Sequence, residues 1–379
     1  MDLELICLTT VTVLIAVLLI LHTRKKERTE GKMSVPSRKR RLAAVLIIGG
    51  LSLFIMFMLS LSHGPGGSSS ISQTFSDLFS AIRKGGNGLT ANEIFVYHSR
   101  LPRALGAVAV GIGLATAGVM YQAVIRNPLV DPYITGVASG AGFAAIVGII
   151  MGSSIGFMSG SIFMIPVMAI IGGLLAFGAT MLIAEKSGGS AVNYVLGGVI
   201  VGFALSAVQT LVLTFAGPNL HGAVFWLFGS FTRLGWDNIW YLFLPAIAIS
   251  VFSLYWARSL NLVLLGEDQA KQMGLNVRRF NITIMVTASV LTAVCVAFVG
   301  IIGFVGLVVP HTCRMILGGD HRFVLPASII LGGILMLVTD FVARMVYIPY
   351  ELPVGAITAL IGAPVFAFLL MKKGRIYNG

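Results

Sequence analysis

Two charged residues in the last third of the chain stand among apolar neighbours. Asp340 and Arg344 lie four residues apart within LVTDFVARMV. On a helix that spacing puts them on one face, where they can pair. Ionisable groups inside an apolar span usually face a cavity and often mark function. Three readings are open. The pair is the proton or ion relay of a secondary transporter, or Arg344 meets a partner at the outer surface with Asp340 holding it, or the pair only supports the fold. Arg100 and Arg103 flank Leu101 and Pro102 at the head of another apolar run. They can anchor that helix by snorkelling, or pair with an acidic partner outside. His311, next to Pro310, reads as a hydrogen-bonded packing residue before it reads as a ligand.

Residues 264–280 form the one long polar segment in the second half of the chain. Glu267, Asp268, Gln269 and Lys271 offer a polar face; Leu265, Ala270, Met273 and Leu275 offer an apolar one. Gly274 is a natural helix stop, because it accepts left-handed backbone. Arg278 and Arg279 precede the next apolar run and place the segment in the cytoplasm. It reads as a short helix that docks a cytoplasmic partner, or as a solvated connection. The chain has no GxxxxGKS or GxxxxGKT, so it does not hold ATP through a P-loop, and it has no HExxH and no CxxC pair. No catalytic set is found, so an enzyme is not expected. Cys7, Cys295 and Cys313 lack paired or ligand spacing and read as small apolar residues. No cofactor or metal site is expected.

The elements that must position these residues are membrane helices. The chain is 57% hydrophobic and 11% charged, against about 25% charged in soluble domains. Its apolar runs are continuous rather than alternating, which predicts helices and not a barrel. Ten spans are expected, at 42–62, 105–124, 134–151, 162–184, 192–215, 237–257, 282–302, 303–315, 323–346 and from 351 to about 371. A further run at 5–22 is an optional first span. Alternatively Met33 is the true start. Domain 1–41 is thus an optional helix and basic linker, and 42–379 is the ten-span domain. Between the first two spans, GPGGSSS is flexible and a short amphipathic helix is expected near 73–83. Pro128 and Pro132 predict a bent connection over 125–142. A surface helix is expected near 223–229, and Pro310 should kink its span. The pairs Gly136/Gly140, Gly152/Gly156 and Gly198/Gly202 suit close helix packing. With these spans, twenty Lys and Arg lie inside and six outside. The net charge of +12 therefore reports topology in a cell membrane, in contact with lipid, and not nucleic-acid binding.

Four stretches in order resemble a known family. They are RLPRALGAVAVGIGLATAGVMYQAVIRNPLVDPYITGVASGAG, LGEDQAKQMGLNVRR, GFVGLVVPHTCRM, and DFVARMV with ELPVGAITALIGAPVFAFLL. Together they are similar to the permeases of type II ABC importers, which move iron-siderophore complexes, haem and vitamin B12. The resemblance covers about 42–375. It implies an all-α, ten-helix permease bundle, present as a homodimer or a pseudo-dimer with a close relative. It implies two copies of a separate ABC ATPase below and an extracytoplasmic substrate-binding protein above. Gly266, Glu267, Asp268, Ala270, Met273, Gly274 and Leu275 match the ATPase-coupling loop, where the family favours Leu at the place of Met273. Arg100, Arg103 and Arg344 match outer arginines that pair with glutamates on the binding protein. The span 192–215 and the last span resemble the helices lining the central pathway. Ser190 and Asn193 fall at the cytoplasmic gate, where this segment departs from the family pattern. Residues 1–32 have no counterpart. The implied cargo is an iron(III)-siderophore or similar metal chelate, with cobalamin and haem open. Readings of other classes are an ion-coupled secondary transporter using Asp340 and Arg344, and a membrane scaffold or export permease.

Overall fold

The computed structural model describes residues 35–65, 67–155, 161–348 and 350–377. The optional span 5–22 and the start at Met33 lie outside these residues, as does Gly156. The first helix, α1 (Val35–Ser62), begins seven residues before the expected span, because its basic first turns continue the helix into the cytoplasm. Arg41 donates to the Ile316 carbonyl at 3.2 Å and ties that end to a later helix. Outside, His63–Gly64 pairs with Gly67–Ser68 in a two-residue hairpin, where only flexible chain is expected. Next comes α2 (Ile71–Arg83), starting where Ser70 accepts the Gln73 amide. A capping box between Thr90 and Glu93 opens α3 (Ala91–Ile94).

The chain then runs without a break through a π-turn, Phe95–Arg100, into α4 (Leu101–Val124). Ala91–Val124 is thus one helix of 34 residues, about 51 Å at 1.5 Å per residue. The expected span 105–124 is only its inner part. After the bent connection and a 3₁₀ turn at Pro132–Thr135 follow α5 (Val137–Ile155), α6 (Met164–Lys186) and α7 (Ala191–Thr214). A short outer helix, α8 (Leu220–Leu227), leads to α9 (Ile239–Ser253) and α10 (Ala257–Leu264). The remaining elements are α11 (Glu267–Gln272), α12 (Val277–Val299), α13 (Val305–Leu317), α14 (His321–Met345) and α15 (Val354–Tyr377). Among the described residues, seven helices are long and apolar enough to cross a membrane, and three shorter apolar ones accompany them. Together they correspond to the ten expected spans.

The bundle is built around α4, which packs against α14, α12, α9, α13 and α1. Small residues permit this. A Cβ on Gly111 would come within 2.1 Å of the Gly332 carbonyl on α14, and one on Gly118 within 1.9 Å of the Gly306 carbonyl on α13. Of the glycines expected at contacts, Gly140 meets Gly172 and Gly198 meets the Ile134 carbonyl. No two glycines of α4 stand four apart, so pairs of glycine alone miss its contacts, but Gly111 and Ala115 are so spaced and both meet Gly332.

The span expected at 303–315 is only 13 residues as a helix, about 20 Å against roughly 30 Å of hydrocarbon. Irregular backbone at 300–304 supplies the rest. Such backbone is tolerated at membrane depth only when protein satisfies it. Here Ser230 donates its amide to the Val299 carbonyl at 2.7 Å, and Tyr133 Oη donates to the Ile302 carbonyl at 2.8 Å. Pro310 lies inside α13 and cannot donate to the Gly306 carbonyl. Gln122 of α4 donates to that carbonyl instead, at 3.1 Å, and also to the Val130 carbonyl. Arg314 in turn donates to Gln122 Oε1.

Candidate functional site

The polar segment folds as expected, into the short helix α11. Its end is a Schellman motif: the Gly274 amide donates to the Lys271 carbonyl at 2.9 Å and the Leu275 amide to the Ala270 carbonyl at 3.0 Å. Gly274 adopts φ +85°, and Gly266 opens the turn at φ +114°. Ala270 is buried, and α11 packs between α10 and α12. Glu267, Asp268, Gln269, Lys271 and Met273 remain exposed, with Leu264 and Leu265 beside them. The charges here are loosely paired. Arg126, itself at φ +56°, and Lys271 each approach Glu267 only to 4.0 Å. The result is a fixed backbone that presents mixed polar and apolar side chains at the surface.

A neighbouring clamp holds the next cytoplasmic turn. Asp320 caps α14 and accepts from Asn261 Nδ2 at 2.7 Å and from Arg322. Burial opposes its ionisation, but the hydrogen bonds from Arg322 and Asn261 outweigh it and hold the carboxyl at about 2.

At the outer end the arginines behave differently from free cations. Arg103 donates through Nε to Asp340 at 2.9 Å and through Nη1 to both oxygens of Glu351, at 2.8 and 2.7 Å. Arg344 pairs with Asp340 at 3.1 Å, donates to Ser60 Oγ at 2.7 Å and reaches the His63 carbonyl. Arg100 donates to the Leu61 and Gly67 carbonyls and so fastens the outer hairpin. Their relative exposures are 8%, 7% and 2% for Arg100, Arg103 and Arg344, and Asp340 is at 0%. The three therefore do come together, but they point inward. A guanidinium carries five donors, and the outer end of α1, the hairpin, α14 and Glu351 supply carbonyls, a hydroxyl and carboxylates in place of water. The expected i, i+4 pair is one side of a larger cluster, because Asp340 lies between two guanidinium groups.

Ser190 and Asn193 sit together at the start of α7. Ser190 Oγ accepts the Asn193 amide at 3.3 Å, and Asn193 Nδ2 donates to the Ser187 carbonyl at 2.6 Å. They cap the helix and close the turn from α6. Beside them Tyr194 donates to Glu185, which pairs with Arg278 at 2.6 Å. From there α7 runs outward with one apolar stripe uncovered: Val192, Leu196, Ile200, Phe203 and Leu211.

Glu351 is a member of the outer cluster that sequence reasoning does not assign to it. A signal for it exists: a carboxylate at the outer end of a span, on the side where three arginines are expected. Gln122 and Arg314 carry no such signal, because their pairing depends on the carbonyl that Pro310 frees.

Comparison with known proteins gives a consistent picture. A family model described as the FecCD transport family matches residues 51–372. The uncharacterized ABC transporter permease protein YvrB of Bacillus subtilis is 38% identical over 279 residues, which is 73% of this chain and 78% of that protein. The cobalamin import system permease protein BtuC of Halobacterium salinarum is 38% identical over 283 residues, 74% of each chain. A solved structure of a putative metal-chelate type ABC transporter in an inward-facing conformation matches with a TM-score of 0.74 at 32% identity, over 86% of this chain and 99% of that one.

Proposed function

We propose, on the premise that the chain belongs to the FecCD transport family and is a multi-pass ABC transporter permease, that it forms the pathway of an ATP-driven importer. The cargo is an iron(III)-siderophore or similar metal chelate. A separate ATPase pair binds beneath Gly266–Leu275, and a binding protein delivers the cargo from outside. The observation that carries this reading is α11: a rigid, capped turn whose exposed side chains have no strong partner among the described residues. Movement of an ATPase under it would be passed to α10 and α12. Coupling requires that the two states make different contacts there.

The pathway runs along the uncovered stripe of α7, with Ser190 and Asn193 at its cytoplasmic end. That stripe is apolar, which suits a large ligand passed without tight binding. A second copy of this chain, or a close relative, supplies the other wall. On the outer face, Arg100, Arg103 and Arg344 form the docking cluster. Arg103 and Glu351 meet at its edge, where a carboxylate of the binding protein takes the place of Glu351, while Arg100 and Arg344 hold the floor. Cobalamin is the second reading of the cargo, favoured by the 38% identity to a cobalamin import permease.

The test is purification of the tagged protein in mild detergent, with mass spectrometry of every protein and small molecule that accompanies it. An ATPase and a binding protein carrying an iron chelate support the proposal. A corrinoid in that binding protein moves the cargo to the second reading. Isolation of the permease alone, under conditions that keep importer complexes intact, overturns the importer reading and makes Asp340 the residue to test for ion coupling.

A further inference from the structure

The helix α2 is built inside out for a segment exposed to water. Its buried positions are Thr74, Asp77 and Ala81. Thr74 Oγ1 bonds Ser69 Oγ at 3.1 Å and the Ser70 carbonyl at 3.0 Å, and Gln73 donates to Asp77 at 2.8 Å. Ser80 and Lys84 both donate to Glu93 of α3. Ser80 and Lys84 thus fasten α2 to α3, while its other polar bonds stay within its own turns and Ala81 and Leu78 pack inward. The opposite side holds Ile71, Phe75, Phe79 and Ile82, at 48%, 57%, 65% and 57% exposed. They recur at helical spacing and form one stripe. Ile94 and Phe95, also exposed, lie on the neighbouring segment. An apolar stripe of this kind marks an interaction surface.

The position of α2 says what covers it. It packs on α1, α3 and the π-turn, at the outer end of α1 beyond that helix's exposed apolar residues 46–55. Its start is at the height of the outer end of α1, since the Ser69 amide donates to the Ser62 carbonyl at 3.0 Å. The same height carries an aromatic belt. Tyr97, in the π-turn, lies 5.0 Å from Trp236, whose Nε1 donates to the Tyr97 carbonyl at 2.9 Å. Trp236 stacks on Trp240, which is exposed along with Tyr241. Tryptophan and tyrosine concentrate at the headgroup level of a bilayer. The 34-residue helix Ala91–Val124 exceeds the hydrocarbon core by roughly 20 Å, so its outer turns, on which α2 rests, stand in that headgroup zone. Exposed Arg83 closes α2, as basic residues flank interfacial helices.

We propose that α2 is an interfacial helix lying on the outer leaflet of the bilayer, with Ile71, Phe75, Phe79 and Ile82 turned into the lipid. It fixes the height of the outer hairpin and, through Ser69, of the segment that Arg100 fastens. The inference is independent of the cargo and of the ATPase.

The test uses the full permease in lipid nanodiscs, with Cys7 replaced by Ser and the buried Cys295 and Cys313 retained. Nitroxide labels are placed one at a time at Phe75→Cys and Phe79→Cys on the stripe, and at Ser72→Cys and Ser76→Cys on the exposed polar side. Collision with oxygen and with a water-soluble nickel chelate is measured by electron paramagnetic resonance. The expected result is at least a several-fold higher oxygen-to-nickel ratio at 75 and 79 than at 72 and 76. Equal ratios at all four positions would overturn the proposal. Protection of 75 and 79 from both reagents would also overturn it, because protein and not lipid would then cover the stripe. A label at Phe54→Cys, exposed on α1, sets the scale for a lipid-facing site in the same preparation.

Discussion

Charge is used in opposite ways in the outer arginine cluster and in the inner turn α11. Outside, Arg103, Arg344 and Asp340 are buried, Glu351 is half-buried, and they meet at 2.7–3.1 Å. Inside, Glu267, Lys271 and Arg126 are exposed and come no closer than 4.0 Å. The outer cluster holds helix ends together, and its members answer one another. The inner turn has its backbone fixed by two glycines, while its side chains stay in the open. Breaking one member of a buried ionic cluster strands the others without water, whereas exposed pairs contribute little. The same residue types are therefore locked into the fold at one end and left open at the other, and in the proposed function each end meets a partner.

The strongest way to break this contrast is Asp340→Asn. It leaves two buried guanidinium groups short of a carboxylate and should cost about 3–5 kcal/mol, read as a large drop in thermal stability in detergent. An unchanged melting temperature would mean that the outer cluster is not structural. Met273→Asp should leave the melting temperature alone but weaken ATPase binding by at least about tenfold, roughly 1.4 kcal/mol. Equal affinity would remove Met273 from the docking surface. Gly274→Ala forces a side chain into left-handed backbone and should cost roughly 1–2 kcal/mol locally, seen as faster amide exchange confined to α11. Glu351→Gln frees the edge of the outer cluster, so binding-protein affinity should rise or hold while stability falls slightly. Loss of affinity would contradict exchange at Arg103.

The smallest effect concerns Asp320. Its folded carboxyl sits at about 2, below the usual value of 3.8. A lowered carboxylate contributes stability above its unfolded pKa and loses it as pH falls through the folded one. Asp320→Asn should therefore remove part of the stability loss between about pH 4 and pH 2, and leave the shape of the curve above pH 5 unchanged.

Much of the fold is legible in the amino-acid sequence. The ten spans, the helix at α2, the polar turn with its glycine stop and the pairing of Asp340 with Arg344 are all local patterns. Periodicity, capping chemistry and run length report such patterns directly. Three features are not legible there. The helix Ala91–Val124 starts well outside the expected span: the Thr90–Glu93 capping box is a local signal, but the π-turn that joins it to the apolar run and the contacts of Glu93 with Ser80 and Lys84 are not. The span around Pro310 is part helix and part irregular chain, and Ser230, Tyr133 and Gln122 make that tolerable from distant positions. The outer arginines turn inward, since their acceptors come from helix ends far apart in the chain.

Sequence alone determined that this protein is a helical membrane bundle and where its polar turn lies, because hydrophobic length acts residue by residue. Only the tertiary structure decided which charges are available. Whether an arginine meets a partner or a neighbour depends on the carbonyls and carboxylates brought within hydrogen-bond reach, and for Arg103 and Arg344 those come from residues up to 284 positions away in the chain.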